Sequence, residues 1–79
     1  MIHAREDYNR IQGPEGKIGQ DEPVFLIRAK DKVSADAVQA WAVLNHETGG
    51  DEELSNRALA QARRMREWQA KNGCKPADL

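Results

Sequence analysis

The chain has little with which to do covalent chemistry. Its 79 residues include one cysteine and two histidines. The single thiol, Cys74, excludes an intramolecular disulfide and any thiolate metal cluster built by one chain, and it fits a reducing, cytoplasmic setting. His3, in the arm, and His46, near a helix end, both lack the second histidine at i,i+3 or i,i+4 of a helical metal site, and a histidine near a helix C-terminus is accounted for by the helix dipole. Ser34 and Ser55 have no adjacent base motif. Nothing places Asp31, Asp36 or Glu47 in a cleft as an acid/base pair. Glycines do precede a helix in His46-Glu47-Thr48-Gly49-Gly50-Asp51, as in phosphate-cradling loops, but the acids that follow repel a phosphate. No enzyme, no cofactor and no metal is therefore expected.

Charge of one sign is also missing. Twelve Lys and Arg face thirteen Asp and Glu, a formal net charge of −1, which argues against a generic nucleic-acid binder. No apolar run approaches the length of a membrane span, and Glu6 and Asp7 stand where a signal peptide needs an apolar core. The expectation is a soluble, unprocessed protein. Aromatics make up only 5% of a chain whose length already makes burial marginal, so oligomerisation would help it fold.

What the sequence does have is one dense apolar run, Val24-Phe25-Leu26-Ile27, fenced by Asp21-Glu22-Pro23 before it and by Arg28-Ala29-Lys30-Asp31 after it. β-branched and aromatic members in a run this short predict a strand or extended segment buried on both sides. One strand makes no sheet. The segment must be covered by the chain's own helices or paired with a copy of itself or another protein. Residues 1–20 read as an N-terminal arm, with the breaker signals Gly13-Pro14-Glu15-Gly16 and Gly19-Gln20 and the apolar anchors Ile2, Tyr8, Ile11 and Ile18. Residues 21–79 read as one small helical domain.

Within that domain the first helix is expected from Ser34 as N-cap, with Asp36 in its first turn and Val33 and Val38 spaced as a hydrophobic staple. Gly49-Gly50 stops it. A second helix starts near Asp51, where Asp51-Glu52-Glu53 complement its positive end, and runs to Gly73, with Arg63, Arg64, Arg66 and Lys71 toward its negative end. Glu53 and Arg57 form a favourable i,i+4 pair, and Arg63 can pair with Glu67. Leu54, Ala58, Ala62, Met65 and Trp68 or Gln69 make an apolar stripe. The predicted architecture is mainly α: an arm, one short extended segment and a two-helix antiparallel hairpin joined by Gly-Gly, completed by oligomerisation. Its alanines allow close helix approach, and Trp41, Trp68, Phe25, Leu26, Leu44, Leu54 and Met65 are expected to supply most of the core.

Binding is better equipped than catalysis. Arg5, Tyr8, Asn9, Arg10 and Lys17 combine a ring, an amide and cations, an inventory that grips a base and a phosphate, although Tyr8 as a plain anchor is the commoner arrangement. Arg28 and Lys30 alternate and would project to one side of an extended segment, where they also suit protection of a strand edge. Arg57, Arg64 and Lys71 recur every seven residues as a basic line, which on most helices is a solvated face.

The block Asp21 to Asp31, the Ala-Trp helix from Val38 to Ala42, and the tail Trp68-Gln69 with Gly73, Lys75 and Asp78-Leu79 resemble small accessory proteins of bacteriophages and prophages. The resemblance covers roughly residues 18–79 and leaves the arm outside. It implies a phage-type accessory protein acting in the host cytoplasm and transfers no site residues. Together with the absent catalytic equipment, it points to antagonism of host defence by stoichiometric binding. The sharpest form is sequestration of a small anionic signal, such as a cyclic nucleotide, between subunits of a homo-oligomer, in pockets lined by Tyr8, Arg10, Arg28, Lys30 and Arg64. The competing expectation is a protein-protein inhibitor that masks a host enzyme or nucleic-acid-recognition complex.

Overall fold

The computed structural model describes residues 2–5 and 18–78. Strand β1 (Ile2–His3) pairs in parallel with β2 (Pro23–Val24), Ile2 opposite Pro23 and His3 opposite Val24. Helix α1 runs from Ser34 to Glu47 and helix α2 from Glu52 to Asn72, and the two pack as the expected hairpin. Gly49, at φ 82°, lies in the connection, a left-handed conformation that glycine adopts without steric cost. Asp51 caps α2, its Oδ1 accepting from the Leu54 N–H at 2.8 Å, and Glu53 pairs with Arg57 at 3.0 Å. Gly73, also at φ 82°, ends α2, and its N–H closes on the Gln69 carbonyl at 2.7 Å.

The apolar run behaves differently from its expectation. Only Pro23 and Val24 are strand, and Phe25 is 72% exposed with Leu26 exposed beside it. A strand is buried on both sides only inside a sheet, and the partner here is two residues long. Nor do Arg28 and Lys30 alternate along an extended segment. Residues 28–31 form a turn, closed by the Asp31 N–H on the Arg28 carbonyl at 2.9 Å.

The largest correction concerns the core. Buried on α1 are Ser34, Ala35 and Ala42, and on α2 Ser55 and Ala62. Trp41, Leu44, Leu54 and Trp68 are all exposed and Met65 is half-buried. The reason is geometric: alanine and serine at the seam let two helices approach closely, and the narrow space left admits methyl groups but no indole. Larger side chains flanking the seam then point away from it.

Both ends of the seam are tied by a serine and a carboxamide from opposite helices. At the connecting end, Asn45 Nδ2 donates to Ser55 Oγ at 2.9 Å and to the Asp51 carbonyl at 3.3 Å. At the open end, Gln69 Nε2 reaches the carbonyls of Ala29 (2.9 Å) and Asp31 (3.2 Å) and Ser34 Oγ (3.2 Å). Ser34 is therefore not an N-cap. Val33 holds that position without a side-chain cap and is largely exposed, so it forms no staple. The Ser34 hydroxyl, fully buried, donates instead to the Ala29 carbonyl at 3.4 Å. A buried hydroxyl left without a partner costs about 1–3 kcal/mol, which is at least what a cap supplies.

Helix α1 begins at Ser34, which Gln69 of α2 reaches, and α2 continues to Asn72, so it runs about 4.5 Å past its neighbour at the helical rise. The 29–32 turn and the 73–78 tail fold onto this overhang. Asp31 and Lys75 form an isolated parallel bridge, with the Lys32 N–H on the Lys75 carbonyl at 2.7 Å and the Lys75 N–H on the Lys30 carbonyl at 3.0 Å.

Candidate functional site

The overhang creates a notch of about 280 Å³ lined by Lys30, Trp68, Asn72, Gly73, Cys74 and Lys75. Gly73 turns the chain back, which sets Lys75 against the 30–32 turn, so that a lysine from each segment lines the same notch as Trp68. Trp68 is 42% exposed. Its ring, the Asn72 carboxamide and two ammoniums are the chemistry that holds a flat, anionic heterocycle: a stacking surface, a polar edge and charge.

Several groups set the electrostatics. Lys75 Nζ lies 3.1 Å from Asp78 Oδ2, and this hydrogen bond holds the Asp78 carboxyl below its ordinary range, reinforced by the charges of Lys75, Arg5 and Lys30. Arg5 Nη1 also donates to the Asp78 carbonyl at 2.9 Å, tying the start of the chain to its tail. The carbonyl end of α2 contributes roughly half a negative charge. Part of that is answered by the Gly73 N–H on Gln69 and by Asn72 Nδ2 on the Trp68 carbonyl at 3.0 Å. With Asp78 neutralising Lys75, the cationic surplus of the notch in one hairpin is small. A phosphate held there needs further cations.

Of the residues expected to line an anion site, Lys30 is in the notch. Arg28 is exposed in the neighbouring turn, where its N–H meets Asp31 Oδ2 at 3.3 Å, and does not line it. Arg64 lies one helical turn before Trp68, exposed, with Nη1 on Gln61 Oε1 at 3.4 Å, and does not line it either. Tyr8 and Arg10 lie outside the described residues. Trp68, Asn72 and Lys75 were not among the expected site residues, Trp68 having been assigned to the core. The signal for them is the glycine at position 73, which reverses the chain so that the tail meets the last turn of α2.

Two further depressions lie on one broad flank of the hairpin. Asp36, Gln39, Val43, Leu44, Glu47 and Arg66 line most of the first. His46, Glu52, Asn56 and Leu59 line part of the second. Arg66 closes this flank across the helices, 3.0 Å from Asp36 Oδ1 and hydrogen-bonded to Gln39. Among the described residues, no three His, Cys, Asp or Glu side chains converge as a metal site needs, and no helix is long and apolar enough to cross a membrane. The chain matches no protein-family model, no curated protein and no solved structure.

Proposed function

We propose that the chain is a non-enzymatic, phage-type accessory protein that works by stoichiometric binding, antagonising host defence by sequestering a small anionic signal of the cyclic-nucleotide class. The observation that carries this reading is that Lys30, Lys75, Asn72 and the half-exposed Trp68 line one notch. An indole stacks on any nucleobase, ammoniums take phosphates, and a carboxamide can read a base edge. The small charge surplus of a single notch supports a pocket shared between subunits of a homo-oligomer, where a second copy adds cations and the arm adds the Arg10 guanidinium and the Tyr8 ring.

The test is native mass spectrometry against a panel of linear and cyclic nucleotides, followed by tryptophan fluorescence in a Trp41→Phe background so that Trp68 alone reports. Retained ligand mass, quenching of Trp68, and at least tenfold weaker binding in Lys30→Glu are the expected results. An unquenched Trp68 across the whole panel removes the reading. The exposed Trp41, Leu44 and Leu54 favour a second reading, a protein-protein inhibitor that masks a host defence enzyme or nucleic-acid-recognition complex. It is told apart by capture of a host protein in the absence of any retained small molecule.

A further inference from the structure

The two broad flanks of the hairpin differ in character. One carries the polar lattice of Arg66, Asp36 and Gln39, with Glu47, Glu52 and Asn56 around it and the exposed Val43 and Leu59 set among them. At about 100° per residue, the helical period puts Ala37 and Trp41 of α1, and Leu54, Ala58, Gln61, Met65 and Trp68 of α2, on the opposite flank. Trp41 is 47% exposed there, with Leu54 and Trp68 exposed beside it, and the exposed Leu44 stands at the outer edge of α1, where it also borders the first depression. This is where the chain keeps both indoles.

We infer that this apolar flank docks a second copy of the same chain, face to face and antiparallel about a two-fold axis that passes near Gln61 and Trp41, an arrangement that rests on the subunit-shared pocket proposed above. Charge distribution selects the occupant and its direction. The connecting end of the hairpin carries Glu47, Asp51, Glu52 and Glu53, whereas the open end carries Arg28, Lys30, Lys32, Lys71 and Lys75 around Asp31 and Asp78. Antiparallel docking sets the acidic end of each copy against the basic end of the other; parallel docking sets like against like. The spacing agrees, because Gln61 is midway between Leu54 and Trp68, so that with Gln61 on the axis each Trp68 meets a Leu54. The area also suffices. The molecule is a plate of 35 × 34 × 17 Å. Its broad face is on the order of 1,000 Å², against about 800 Å² per partner in a standard interface.

This dimer changes the notch. Arg57, Arg64 and Lys71 run along the margin of the docking flank, and the two-fold axis lays the lines of both copies side by side. Arg57 of the second copy then comes beside Arg64 and Trp68 of the first. These are the cations that the single hairpin lacks, and they would make Arg64 a lining residue of a pocket between subunits.

The experiment is disulfide trapping in the full-length chain with Cys74→Ser as background. Gln61→Cys is expected to give a covalent dimer rapidly under mild oxidation. Leu54→Cys and, on the other flank, Asn56→Cys should react at least tenfold more slowly. Trp41→Glu with Leu44→Glu should shift the native mass to monomer with far-ultraviolet circular dichroism unchanged, and the trapping result stands by itself if that variant unfolds. Preferential self-trapping of Leu54→Cys means parallel docking and overturns the arrangement. A wild-type monomer at tens of micromolar overturns it as well. Neither readout involves nucleotide, so a failed ligand panel with a trapped Gln61→Cys dimer counts against the sequestration reading alone.

Discussion

The seam between the helices and the flank beside it divide the chain's apolar residues in an unusual way. The seam holds alanine and serine and is closed to solvent, Ala42 and Ala62 being 1% exposed, while the flank holds tryptophan and leucine and stays open. Size decides which goes where. Small side chains let backbones approach and are buried by that approach, and the same closeness expels the large ones. The hairpin is thus held by close packing and two polar clamps, and its largest apolar side chains stay exposed.

If this division is right, adding bulk at the seam does the most damage. Ala62→Leu, and equally Ala42→Leu, should lower unfolding free energy by about 1–3 kcal/mol through overpacking, measured by urea denaturation. A loss below about 0.5 kcal/mol would mean that the seam is loose and that the division by size fails.

The clamps come next. Gln69→Leu leaves the Ala29 and Asp31 carbonyls and the Ser34 hydroxyl without their common donor, and should cost about 1–3 kcal/mol. Hydrogen exchange should show the 29–32 turn opening first. At the other clamp, a β-carbon on Gly50 would stand 2.1 Å from Asn45 Oδ1. Gly50→Ala therefore displaces Asn45 from Ser55 and Asp51, and should cost about 1 kcal/mol for the bonds lost.

The flank sharpens the comparison by its silence. Leu44→Ser, at concentrations too low for association, should change stability by no more than about 0.5 kcal/mol, as for a surface site. At high concentration the same change should lower the melting temperature, because association stabilises the folded chain by mass action.

The smallest effect expected is at Asp78. Its carboxyl titrates below the ordinary carboxylate range because the hydrogen bond and charge of Lys75, and then the charges of Arg5 and Lys30, favour the charged form. A folded pKa below the unfolded one means that the tail contact is fully present above the unfolded value and is lost as pH falls through the folded one. Asp78 is fully exposed, so the effect is local. NMR titration should show Lys75 and Asp78 signals moving together below pH 4 while the helices stay intact, and Asp78→Asn should abolish the coupled shift.

Much of the fold was legible because it depends on local chemistry. The acids at 51–53, the glycines at 49 and 73 and the i,i+4 pair of Glu53 and Arg57 act within one helical turn, and each does in the structure what its type and position predict. Ser34 was misread because capping and burial compete for the same hydroxyl, and only the arrival of Gln69 from 35 residues away decides between them. The same holds for Trp41, Trp68 and Leu44. A stripe at helical spacing announces an apolar face but not whether the seam runs through its centre or along its edge. Of the candidate site, Lys30 could be picked out as a cation beside an apolar run, while Trp68, Asn72 and Lys75 could not, since their meeting depends on the tail folding back over α2.

The sequence by itself determined two helices, their start and stop signals, the hairpin connection and the scarcity of catalytic groups, all of which are set by neighbours in the chain. Tertiary structure alone decided which side chains the helices share, where the indoles face and which cations meet around Trp68. Those outcomes depend on how closely two backbones approach, and that distance is set jointly by residues far apart in sequence.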